Sequence, residues 1–73
     1  MGTNETAVRE WLSNYGNEFR RKREKAKLTQ LEVAWTLGCS QAIISHIECG
    51  YMLPPEKIET ALLDLYESVR GGE

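Results

Sequence analysis

The side chains best suited to chemistry lie close together, between residues 41 and 46. Gln41, Ser45 and His46 carry hydrogen-bond donors and acceptors, and the small residue Ala42 lies among them. No nucleophile lies within reach of a general base in any motif, and neither a phosphate-binding loop nor a supported acid pair is present. The single histidine has no metal-ligand neighbours in sequence. The pattern therefore indicates recognition rather than catalysis, without a metal, a cofactor or a small-molecule ligand.

Helical periodicity runs through the 73 residues that must position these side chains. No stretch alternates apolar and polar residues with period two, so we predict an all-α bundle of four to five helices. A first segment runs from about Glu5 to Ala26 and is interrupted at Gly16-Asn17, where both residues disfavour helix. We therefore expect two helices or one helix with a weak joint. The predicted parts are an accessory helix at 1–14, a main domain at 15–70 and a tail at 71–73.

Two short helices joined by a tight turn follow. Thr29 and Glu32 have the spacing of a capping box, which predicts a helix beginning at residue 30 and running to Leu37. Gly38 can take a positive φ and end that helix, and Ser40 is a good N-cap for the next one, at about 41–48. This arrangement is typical of a helix-turn-helix unit. Its wedge is expected to be filled by Val33, Leu37, Cys39, Ile44 and Ile47.

A last helix is predicted after Pro54-Pro55, because proline is tolerated in the first turn of a helix. Its inner stripe is expected to contain Ile58, Leu62, Leu65 and Val69. Leu63 and Tyr66 lie off that stripe.

The linked motifs of this central region resemble the Cro/cI (XRE) family of DNA-binding domains, to which the POU-specific domain is related. The resemblance covers roughly residues 15 to 66. It is carried by the segments YGNEFRRKR at 15–23, LTQ at 28–30, LGCSQ at 37–41 and ISHIECG at 44–50. It implies a Cro/cI repressor-like bundle, with an extra N-terminal helix here, that acts as a transcriptional regulator. It also implies a homodimer that doubles the few base contacts of one helix, and we expect its interface on the last helix, at Leu63 and Tyr66. The recognition helix, at 41–48, would lie in the major groove of double-stranded DNA.

The resemblance also implies roles for individual residues. Base edges would be contacted by Gln41, Ala42, Ser45 and His46, and phosphates by Thr29, Gln30, Ser40, Ile43 and Tyr51. A glutamine can bond adenine in bidentate fashion, and an alanine methyl can touch the methyl group of thymine. Arg23 and Glu48 would form a buried structural ion pair.

Charge and surface composition leave a second interpretation open. The net charge is −2, but residues 20–27 carry six positive charges and one negative. The segment Tyr51–Leu53 is largely apolar, as are Leu31 and Trp35, at positions that are usually polar in the family. The alternative is a protein–protein interaction module on the same fold, such as an antirepressor, an antitoxin or a bridging coactivator, with its partner at one of these surfaces.

Two further expectations concern the apolar residues and the compartment. Trp11 and Leu12 would pack on Leu31 and Trp35, in the same chain or in a second subunit, which would give the accessory helix a place in the fold. No apolar run approaches the length of a membrane span, and the cysteine spacing indicates reduced thiols. We therefore expect no membrane partner and an intracellular location, in the cytoplasm and nucleoid or in a nucleus.

Overall fold

Four α-helices follow one another along the chain. They are α1 (Gly2–Lys25), α2 (Gln30–Leu37), α3 (Gln41–Glu48) and α4 (Glu56–Gly71). The structure is a computed structural model that describes residues 2–71, with side chains for residues 7–69. No strand occurs within residues 2–71, so the prediction of an all-α bundle is confirmed. Of the predicted tail, Gly71 belongs to α4, and residues 72–73 lie outside the described part.

Local capping explains where the two short helices begin and end. The Glu32 amide donates to Thr29 Oγ1 at 3.0 Å, and the Thr29 amide donates to Glu32 Oε1 at 2.8 Å, which completes the capping box. Gly38 adopts φ 75° and ends α2. Ser40 Oγ then accepts from the Ile43 amide at 3.3 Å and caps α3. The sequence signals for this unit therefore act as predicted.

The first segment forms one helix rather than two. α1 is continuous from Gly2 to Lys25, so of the two alternatives the separate helices are wrong, and residues 2–14 belong to the same helix as the rest of α1. Gly16 is buried instead, and a Cβ built on it would overlap the Ile47 carbonyl oxygen and lie 2.8 Å from the Glu48 carbonyl oxygen. The glycine therefore allows α1 to approach the C-terminal end of α3 closely. This tertiary contact outweighs the low helix propensity of glycine.

The end of α1 uses an unexpected residue. Lys27 has φ 62°, a left-handed conformation that normally favours glycine. The Leu28 amide donates to the Arg23 carbonyl at 3.2 Å, and the Lys27 amide donates to the Glu24 carbonyl at 3.0 Å. These two bonds form a Schellman motif, so the helix ends in an orderly way without a C-terminal glycine.

The core receives side chains from all four helices. Its buried members are Phe19, Val33, Ala34, Ile44, Ile47, Leu62 and Tyr66. Leu37 and Cys39 pack against this cluster, as do Ile58 and Leu65. Val69 is exposed, although the sequence placed it on the inner stripe of α4. Tyr66 is buried rather than off the stripe, which removes it from the predicted dimer interface.

The expected contact between the two apolar surfaces is absent within this chain. Trp35 is 85% exposed, and Leu31 and Trp11 are also largely exposed. Trp11 stacks on Tyr15, with ring centroids 5.2 Å apart. α1 packs mainly on α3 and α4. The prediction of intrachain packing between these surfaces is therefore wrong, and only its intermolecular alternative stays open.

Candidate nucleic-acid interface

The outer face of α3 carries polar side chains without formal charge. Gln41, Ala42 and His46 are exposed, whereas Ser45 is half-buried. Ile44 and Ile47 occupy the opposite face and are buried in the core. Their helical spacing fixes how α3 is turned, so Gln41, Ala42 and His46 are presented together to the surroundings.

A buried ion pair fixes the position of α3 against α1. Arg23 Nε donates to Glu48 Oε2 at 2.7 Å, and Arg23 Nη2 donates to Glu48 Oε1 at 3.1 Å. The two side chains are only 12% and 3% exposed, respectively. The hydrogen bond to Glu48 raises the pKa of the Arg23 guanidinium above its usual value, although burial opposes this shift. The pair that the family resemblance implied is thus present, with bidentate geometry.

Two further hydrogen bonds extend the pair into a network. Gln30 Nε2 donates to Glu48 Oε1 at 3.0 Å, and Arg23 Nη1 donates to the Leu28 carbonyl at 2.8 Å. Glu48 therefore joins α3 to α1 and to the start of α2, and its carboxylate is neutralised and hydrogen-bonded as a buried charge requires. Gln30, predicted to contact phosphate, keeps one amide hydrogen and its oxygen beyond this bond.

Three other predicted phosphate contacts, Thr29, Ser40 and Ile43, differ in exposure and in the hydrogen bonds that they already make. Thr29 and Ser40 are exposed N-caps. Each hydroxyl accepts a hydrogen bond from a backbone amide of the helix that it caps, and its own proton can still be donated. Ile43 is half-buried against the core, and its amide already donates to Ser40. The structure therefore gives no support to Ile43 as a phosphate contact, because its apolar side chain and its amide are both occupied.

Sequence comparison agrees with this geometry. A family model described as a helix-turn-helix domain matches residues 14–70. The chain belongs to the helix-turn-helix domain family. This is consistent with the Cro/cI resemblance, whereas the relation to the POU-specific domain stays a resemblance. Comparison with curated proteins and with solved structures gives no match.

Tyr51 extends the recognition surface of this helix-turn-helix domain beyond α3. Its ring lies 5.7 Å from the His46 ring, centroid to centroid, with the planes tilted by 55°. The Tyr51 amide donates to the His46 carbonyl at 2.9 Å, which holds the two residues beside each other. The predicted phosphate contact is therefore exposed and adjacent to a predicted base contact.

The basic run does not form one positive surface beside α3. Arg20 and Arg21 pair with Glu24 and Glu18 at 3.3 and 3.4 Å on the exposed side of α1, and Arg23 is held by Glu48. Lys22, Lys25 and Lys27 line a groove of about 550 Å³ between α1 and α4, and the Arg21–Glu18 pair and Glu67 line the same groove. The positive charge of residues 20–27 is therefore divided among three environments.

Tyr66 lines that groove and interacts electrostatically with the Arg23–Glu48 ion pair. Burial raises the pKa of Tyr66 to about 12, and the nearby Glu48 carboxylate also raises it. Within the part of the chain that has described side chains, the buried hydroxyl has no hydrogen-bond partner. The sequence carries one hint of this position, because Tyr66 follows the buried Leu62 by one helical turn.

Among the described residues, no group of three or more His, Cys, Asp or Glu side chains could hold a metal ion. None of the helices in residues 2–71 has both the length and the apolar character of a membrane span. The hydrogen-bonding face of α3 is the best-defined candidate interface of this domain.

Proposed function

We propose that this helix-turn-helix domain binds double-stranded DNA sequence-specifically, with α3 in the major groove, and regulates transcription inside the cell without catalysing a reaction. The observation that carries the proposal is the exposed hydrogen-bonding face of α3, which is held rigidly by the Arg23–Glu48 pair. A rigid helix with such a face suits the major groove, where each base pair has a distinct pattern of donors and acceptors.

The proposed base contacts follow from the side-chain chemistry. Gln41, in the first turn of α3, would make a bidentate bond to adenine, and the Ala42 methyl would touch a thymine methyl. His46 would donate to a guanine acceptor or to a phosphate. Ser45 is half-buried and would reach a base only through its hydroxyl. Phosphate contacts would come from the Thr29 and Ser40 hydroxyls, the free amide atoms of Gln30 and the Tyr51 hydroxyl.

The lack of an arginine or lysine on the exposed face of α3 bears on specificity. Phosphate neutralisation supplies most non-specific affinity, whereas contacts to base edges discriminate between sequences. Because Arg23 is buried and Arg20 and Arg21 are paired with acids, the domain has few free cations beside α3. We therefore propose that base contacts contribute a large share of its affinity and that a homodimer doubles them on a pseudo-palindrome.

Selection of bound sites from random duplexes, followed by titration of the selected and random sequences, tests this proposal. Gln41→Ala should weaken binding to the selected site by about 5- to 150-fold, the equivalent of 1–3 kcal/mol, and change binding to random duplex much less. Asn17→Ala, which removes an exposed amide from α1, is the matched control and should leave both affinities unchanged. Equal losses on both duplexes would assign Gln41 to phosphate contact, and failure to enrich any site would refute sequence-specific binding.

A protein-interaction module is the second candidate, because Trp35 is 85% exposed and Tyr51 and Leu53 are also exposed. Such a module would bind duplex without sequence preference or not at all. Raising the salt concentration separates the two candidates further. Duplex binding without sequence preference rests on phosphate contacts and should be lost as counterion release becomes less favourable, whereas binding to a selected site through base edges should be retained in part.

A further inference from the structure

Two pairs of large apolar side chains are exposed on different helices. The arm pair consists of Val8 and Trp11 on α1, and the α2 pair consists of Leu31 and Trp35. Spacings of three and four residues place the members of each pair on one helix face. Trp35 is 85% exposed, and the other three are between 55% and 61% exposed. Scattered single residues of this kind are common, but paired ones form patches that mark an interaction site.

The chain cannot cover these patches by itself in this fold. Gly50 contacts the α1 backbone at Leu12 and Ser13, so the helix is anchored on the loop after α3 at that point. The residues of α1 that precede Leu12 form an arm about 15 Å long, at 1.5 Å per residue. The α2 pair lies on the side of α2 opposite the buried Val33. The two patches therefore remain apart within one copy.

We infer that a second copy of this chain covers both patches, with the arm pair of each copy packed on the α2 pair of the other. This inference rests on the proposed homodimer and names its interface, in place of the one on α4. In a two-fold dimer the same contact occurs twice, so every one of these patches is covered at once. A different partner that covered one patch would leave the other exposed.

The area involved is compatible with a weak dimer. Taking about 150–250 Å² for each large side chain, the four residues expose roughly 500 Å² per copy, or about 1,000 Å² for two copies. Stable interfaces bury about 1,200–2,000 Å², so this contact lies near the lower limit and would reach it with the neighbouring side-chain stems. We therefore expect a weak dimer that forms without DNA at high protein concentration.

Sedimentation equilibrium of the full chain without DNA tests the interface. The intact chain should dimerise, and Trp11→Ala and Trp35→Ala should each raise the dimer Kd at least tenfold. The double variant should lose much less than the sum of the two single losses, because both residues belong to one contact. Leu63→Ala removes an exposed apolar side chain of α4, outside this interface, and should leave the Kd unchanged. Circular dichroism checks that every variant remains folded.

Disulfide trapping tests which surfaces meet. With Cys49 replaced by serine, a tagged Val8→Cys chain mixed with an untagged Leu31→Cys chain should form a tagged–untagged crosslink on mild oxidation. Tagged Val8→Cys alone should not crosslink. A monomer at all concentrations, a dimer that tolerates Trp35→Ala, or no mixed crosslink would each overturn the inference. A monomer that still binds its selected duplex would refute this interface alone, whereas a dimer of this kind that selects no duplex would refute the proposed DNA binding alone.

Discussion

Replacing Glu48 with alanine should test how α3 is held, because it removes the acceptor shared by Arg23 and Gln30. The guanidinium of Arg23 would remain largely buried, with only the Leu28 carbonyl as partner. Removal of one partner of a buried pair costs about 3–5 kcal/mol. The stability expected for a chain of this length is about 4–11 kcal/mol, so the loss is a large fraction of the total. The melting temperature should fall by at least about 12 °C.

Urea denaturation followed by circular dichroism measures this effect, since the exposed Trp11 and Trp35 are poor fluorescence reporters of the core. Arg21→Ala is the control, because it breaks an exposed pair with Glu18 and should cost about 0–1 kcal/mol. Combining Arg23→Met with Glu48→Leu should recover most of the loss, since no charge is then left buried. If Glu48→Ala and Arg21→Ala cost the same, the buried pair does not hold α3 in place.

Three further variants have expected outcomes that chemical or thermal unfolding can measure. Gly16→Ala should destabilise the domain, although alanine is the better helix former, because its Cβ would meet the Ile47 carbonyl. Asn17→Ala, at the next position, is the control and should be neutral or stabilising. A Gly16→Ala variant that is more stable than the intact chain would disprove the close approach. Lys27→Gly should stabilise by roughly 0.5–1 kcal/mol by relieving the positive φ, whereas Lys25→Gly inside the helix should destabilise by a similar amount. Tyr66→Phe should stabilise by about 1 kcal/mol near neutral pH, because the buried hydroxyl lacks a partner. The pKa of Tyr66 is about 12 in the folded state and 10.0 ordinarily, so the unfolded state releases this proton first and the intact chain should lose stability between pH 10 and 12. If the difference in unfolding free energy between Tyr66→Phe and the intact chain stays the same across that window, the assignment is contradicted.

The sequence predicts α2 and α3 well because their boundaries depend on local chemistry. The N-caps Thr29 and Ser40 accept hydrogen bonds from backbone amides a few residues away, and Gly38 ends α2 by its own positive φ. Such signals can be read from spacing alone. The Arg23–Glu48 pair joins residues that are distant in sequence, and it was implied only by the family resemblance. Spacing alone could not have identified it.

The errors arise where tertiary packing decides. Gly16 has the propensity of a helix breaker, but only the position of α3 shows that the glycine makes room for the Ile47 carbonyl. On α4, both Leu65 and Tyr66 have helical spacing suitable for the core. The flank that faces inward is set by the neighbouring helices, so periodicity could not choose between them.

The anchoring of α1 also has a consequence for the order of folding. α2 and α3 are neighbours in sequence and make the most extensive helix–helix contact, so their pairing closes only a short loop. Docking of α1 on Ile47 and Glu48 closes a much longer one and should come later. Residues 7–11 of the arm are all exposed, so their amide hydrogens should exchange first, while α2 and α3 remain protected. The segment that a second copy would bind is thus also the segment that can open without loss of the helix-turn-helix unit.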